Sequence, residues 1–87
     1  MKSLAHTVTT TASRVITSEP LTRMVWLHVL GNGVVYVGGS DVTSTNGLLT
    51  EKAAAPQPLT IPSGEELWAV VAPAAGNEEL RILVQGD

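Results

Sequence analysis

Turn-forming residues interrupt this chain so often that no long helix has room to form. Gly31-Asn32-Gly33, Gly38-Gly39, Asn46-Gly47, Pro56-Gln57-Pro58, Pro62-Ser63-Gly64 and the 73–77 stretch break it into short pieces, many of them about 8–12 residues apart. Val and Thr are abundant between the breaks. Their β-branched side chains lose rotamer freedom in a helix and pack well on a pleated surface. No stretch sustains a 3.6-residue apolar period. The expectation is an all-β fold: a small antiparallel β-sandwich or barrel of about six to eight short strands.

Residues 22–30 make the strongest strand. Val25, Leu27 and Val29 point to one face, and Met24, Trp26, His28 and Leu30 to the other. Both faces are largely apolar. In a thin sandwich only one meets the core, so the other calls for a covering neighbour. Gly31-Asn32-Gly33 predicts a tight type I′ hairpin turn, with residues 34–37 returning as the antiparallel partner. Asn46-Gly47 is a further turn signal, followed by a brief strand at 48–50. Residues 51–55 make at most a helical turn cut off by Pro56, and Pro56-Gln57-Pro58 stiffens the end of that loop. Residues 59–61 alternate as a strand and 62–65 read as a β-turn. Leu67, Ala69 and Val71 then share a face, as do Leu80, Ile82 and Val84. The Thr-rich start suits an edge strand or an extended arm that orders on a partner. The domain reading is such an arm or edge strand at 1–12, then a single sandwich or barrel domain at 13–87.

Composition narrows the function. Hydrophobic residues make up 44% of the 87 and charged residues 15%, against about 25% charge in average domains. So weakly charged a surface points to partner contacts, with a homo-oligomer expected. Cysteine is absent, which removes disulfides, thiol catalysis and zinc-thiolate sites. Five Lys and Arg against eight Asp and Glu give a net charge of −3. That is too few cations for a phosphate-tracking patch, so no nucleic acid partner is expected. The longest apolar run, 24–37, is broken by His28 and Gly31-Asn32-Gly33 and falls short of the ~18 residues of a membrane span. No membrane partner is expected. The N-terminus has no long apolar segment of the kind a cleaved signal needs, in keeping with synthesis in a reducing cytoplasm.

Little in the chain points to catalysis. His28 has no Asp or Glu near it in sequence to orient its ring, so a polar side chain bonded at a core edge or interface is the plainer reading than a base or ligand. Glu65-Glu66 and Glu78-Glu79 are adjacent pairs, which a strand sends to opposite faces. Gly31-Asn32-Gly33-Val34-Val35-Tyr36 begins like a dinucleotide loop, but Tyr36 stands where glycine is needed and a strand follows where a helix should open. No serine sits in a nucleophile-elbow pattern. The expectation is a non-enzymatic protein with no catalytic residues, cofactor or metal. Trp26, Trp68 and Tyr36 are its only aromatics, and each Trp reads either as a core anchor or as an intersubunit anchor. Both Trp fall on strand faces assigned as outward. Met24, Trp26, His28, Tyr36 and Trp68 are the candidate partner-interface residues.

The run Val35-Tyr36-Val37-Gly38-Gly39-Ser40-Asp41-Val42-Thr43, followed by Asn46-Gly47, resembles a motif of small tailed-bacteriophage virion proteins of the capsid decoration, or cement, type. Leu59-Thr60-Ile61-Pro62-Ser63-Gly64-Glu65 looks like the later part of that pattern, and Leu67-Trp68-Ala69-Val70 with Leu80-Arg81-Ile82-Leu83-Val84 like its closing strands. Residues 48–58 depart from it. The resemblance implies a structural protein of the virion, made in the bacterial host cytoplasm. It would sit on the capsid exterior, as a homotrimer or other homo-oligomer, and stabilise the shell by bridging major capsid protein subunits. Two other readings stand beside it. One is a phage tail, head–tail connector or head-fibre-base component. The other is a cell-surface or carbohydrate-binding β module, which needs exposed aromatics on a concave face with polar neighbours.

Overall fold

The computed structural model describes residues 1–52, 58–74 and 76–86. Its strands are β1 (Lys2–Val8), β2 (Ser13–Ile16), β3 (Arg23–Val29), β4 (Val34–Gly38), β5 (Leu48–Glu51), β6 (Pro58–Ile61), β7 (Leu67–Val70) and β8 (Glu78–Gln85). They form two four-stranded antiparallel sheets, ordered β1-β8-β3-β6 and β2-β7-β4-β5. The pairing follows one logic. β4 pairs with β5, β3 with β6, β2 with β7 and β1 with β8, all antiparallel. These pairs are successive lengths of a single two-stranded ribbon. Rolling that ribbon brings β3 against β8 and β4 against β7 and closes both sheets. The result is a jelly-roll sandwich.

Period-two alternation supplies the core. Val25, Leu27 and Val29 of β3, Val35 and Val37 of β4, Leu67 and Ala69 of β7, and Leu80, Ile82 and Val84 of β8 all face inward and join one buried cluster. Their alternate neighbours point to the outer faces, as the pleat requires; Val70 is buried there and the others are exposed or half-buried. The accessible surface is 4883 Å², close to the ~4,900 Å² that size scaling gives for a compact chain of this mass.

The hairpin expected at Asn32-Gly33 does not form. β3 lies in one sheet and β4 in the other, so residues 30–33 cross between the layers. A type I′ turn needs two positive φ angles, yet the positive-φ glycines are Gly64, Gly76 and Gly86. The end of β3 is drawn to β8 instead, where the Leu30 N–H donates to the Glu79 carbonyl at 3.1 Å. The loop then passes so close to Glu78 that a Cβ on Gly31 or Gly33 would run into its carboxylate. These glycines serve close approach, not turn handedness.

Other turns follow local chemistry. The Glu65 N–H donates to the Pro62 carbonyl at 3.1 Å and Gly64 has φ +84°, the positive third angle of a type II turn. The Thr-rich start contains a break that no Gly or Pro announces. Lys2–Val8 is an edge strand of one sheet and Ser13–Ile16 an edge strand of the other. Between them the Thr11 N–H donates to Thr9 Oγ1 at 3.2 Å, a hydroxyl-stabilised turn. Of the helical turn expected at 51–55, Glu51 instead ends strand β5; residues 53–55 and the stiffening at Pro56-Gln57 lie outside the described residues, as does Ala75 of the 73–77 turn.

Candidate functional site

The two outer faces of the sandwich differ. On the β1-β8-β3-β6 sheet the register sets Met24 opposite Gln85, Trp26 opposite Leu83 and His28 opposite Arg81. Across β8, Ser3 lies opposite Leu83 and Ala5 opposite Arg81. Ser3, Ala5, Trp26, His28, Arg81 and Leu83 thereby line a shallow open depression of about 500 Å³. Trp26 Nε1–H donates to Gln85 Oε1 at 3.0 Å, which ties down the half-buried ring. Arg81 donates from Nε and Nη2 to Glu79 Oε2 at 2.8 and 2.6 Å. Met24 beside them is 39% exposed. Nothing in the chain lies over this face among the described residues.

The outer face of the β2-β7-β4-β5 sheet is partly covered by the chain itself. The 39–47 loop joining β4 to β5 folds back onto it. Val42 is buried, and a Cβ on Gly38 would sit 3.1 Å from its Cγ2. A Cβ on Gly47 would lie 2.6 Å from Tyr36 Cβ and 2.8 Å from Val42 Cγ2. Asn46 staples the loop: its Oδ1 accepts from the Thr43 N–H at 2.7 Å and its Nδ2 donates to the Asp41 carbonyl at 3.2 Å. The Gly47 N–H closes it on the Thr43 carbonyl at 2.9 Å. The distinctive Tyr36-to-Gly47 run is therefore a packing plug. Its residue types answer a local demand for small residues under Val42 and over Tyr36.

Trp68 lies on the same side, in a polar triad. Its Nε1–H donates to Glu66 Oε1 at 3.1 Å, and Arg14 Nη1 donates to Glu66 Oε2 at 3.1 Å. The Trp68 hydrogen bond first, then Arg14, hold the Glu66 carboxyl below the usual carboxylate range. The five candidate interface residues thus do not share one surface. Met24, Trp26 and His28 lie together on one face, and Tyr36 and Trp68 lie on the opposite one. His6, between the layers, shares a 2.8 Å hydrogen bond with Ser13 Oγ that links β1 to β2. Among the described residues no three His, Asp or Glu gather as metal ligands would.

Several residues escaped the sequence reading. Arg81 and Leu83 complete the depression, but only the β3–β8 register brings them beside Trp26. Leu48 and Leu49 of edge strand β5 are 64% and 52% exposed; two adjacent leucines after an Asn-Gly turn were the available signal. Arg23 is 3% exposed and donates to the Thr17 and Glu65 carbonyls at 2.8 and 3.2 Å. Its phase with Val25, Leu27 and Val29 marked it as inward-facing.

No protein-family model matches the chain, and no curated protein does. A solved chain of Bacillus endospore appendages, described as a novel family of disulfide-linked pili, matches over 95% of this chain and 80% of its own length, with a TM-score of 0.61 and 18% identity. The likeness shows a shared fold. It corrects the bacteriophage reading, since the structural counterpart is a bacterial appendage chain and not a virion protein. The capsid decoration role, the virion location and the major capsid protein as partner are withdrawn with it. The motif that carried that reading is the plug over Tyr36, which local packing explains. Among the alternatives, a cell-surface module stands nearer to the match. These 87 residues contain no cysteine, so they have no means of making a disulfide link.

Proposed function

We propose that this chain is a structural building subunit of a bacterial surface appendage, joined non-covalently to further subunits of the same kind. The observation that carries the reading is the asymmetry of the two faces. Among the described residues the 39–47 loop covers part of one outer face, and nothing lies over the other around Trp26 and Leu83. Exposed leucines on β5 add a second apolar feature. Apolar area left open in this way is the usual mark of an association surface. The fold likeness to an endospore appendage chain supports the same reading, and low charge suits a molecule that ends up largely covered. In this role Met24, Trp26 and His28 contact a neighbouring subunit and no chemistry is performed.

Sedimentation and electron microscopy of the purified chain over a concentration series test the proposal. Concentration-dependent growth into fibres is expected. Trp26→Ala should weaken each contact by about 2–4 kcal/mol while the monomer keeps its fold, because the indole lies outside the core cluster. A wild-type chain that stays monomeric at the highest attainable concentration refutes the role. An unfolded Trp26→Ala monomer would instead make Trp26 a folding residue.

A further inference from the structure

We infer that the bare depression receives the β5 edge of a second copy of this chain, with Leu49 seated on Trp26 and Leu83 and Glu51 facing Arg81. The inference rests on the building-subunit reading and names its contact. The register sets Leu49 opposite Tyr36 and Glu51 opposite Val34, so both leave β5 on its outward side. They are two residues apart, about 6.7 Å along a strand. The depression repeats that interval. Trp26 and Leu83 form one cross-strand pair, and His28 and Arg81 form the next pair on the same face. An apolar residue followed by an anionic one on β5 therefore meets an apolar pair followed by a cationic one. Arg81 engages Glu79 through Nε and Nη2, which leaves Nη1 for a second carboxylate. Leu49 is 52% exposed at the rim of the sandwich, where it can reach into a neighbour's shallow hollow.

Symmetry agrees. Donor strand and acceptor face lie in different sheets, so one copy can use both at once. Such a head-to-tail contact is heterologous and propagates into a ring or an open filament.

Charge exchange tests the contact. Self-association of the purified chain is measured by sedimentation, with electron microscopy of the products, for wild type, Glu51→Arg, Arg81→Glu and the double variant. Each single change should weaken association by about tenfold or more, and the pair should recover most of that loss. Association that persists unchanged in both singles, or a double variant no better than its worse parent, overturns this docking while leaving the subunit role standing. A wild-type chain that does not self-associate overturns both. Leu49→Asp, at an exposed site, covers the case in which Arg81→Glu fails to fold. Loss of assembly is expected, and retained assembly overturns the docking.

Discussion

Arg23→Met isolates the contribution of one buried cation. Arg23 is 3% exposed, bonds two backbone carbonyls from different loops and keeps an Nε with no partner among the described residues. Each charge-assisted bond contributes about 1.5–3 kcal/mol, so the pair is worth about 3–6 kcal/mol. Against this stand the several kcal/mol needed to bury an ion and about 1–3 kcal/mol for the unpaired Nε. Thr17 and Glu65 are exposed residues, so water can replace the lost donors. Met keeps the aliphatic stem. These terms nearly cancel, and the net expectation is a small loss of at most about 2 kcal/mol, a fall in melting temperature of no more than about 15 °C at this chain length. Arg23→Ala also removes two aliphatic carbons at about 0.8 kcal/mol each and should fall further. Thermal and urea unfolding followed by circular dichroism measure both. Arg23→Met at or above wild-type stability would refute the reasoning, because desolvation would then outweigh the clamp.

Three further outcomes follow from the same structure. The Glu66 carboxyl titrates lower in the folded chain than in the unfolded one, so the unfolded state binds the proton more tightly. Its contribution is present above the ordinary carboxylate range and is lost as pH falls through the folded value. Melting curves of wild type and Glu66→Gln should converge in acid, and a gap that widens there contradicts the triad. Gly47→Ala should cost about 1–3 kcal/mol by overpacking, since its Cβ would meet Tyr36 Cβ and the Thr43 carbonyl oxygen at 2.6 and 3.0 Å. Gly33→Ala should cost less than about 1 kcal/mol, because φ is not positive there and the clashing atoms are the tip of one flexible Glu78 side chain. Equal losses in the two variants would refute this ranking and show that Glu78 cannot move aside.

What was legible in the chain was local. Alternation assigned Val25, Leu27 and Val29, and again Leu80, Ile82 and Val84, to buried faces, because the pleat is a property of consecutive residues. Pro62-Ser63-Gly64 announced its turn because Gly64 holds a dihedral that few side chains tolerate. Trp26 and Trp68 were legible as outward-facing, yet not as members of two opposite faces. Nothing in the Tyr36-to-Gly47 run distinguished a packing plug from a family signature, since both ask for the same glycines.

The sequence by itself determined that short strands form, where several of them end and which way their side chains point. It did not determine who pairs with whom. Asn32-Gly33 offered β3 a nearby partner in β4. The folded chain instead gave β3 to β6 and β8, distant in sequence, because rolling the whole ribbon seals one core that a lone hairpin could not. Only that closure brought Leu83 and Arg81 beside Trp26 and His28, and so only the tertiary structure decided that, among the described residues, one outer face is partly covered and the other is open.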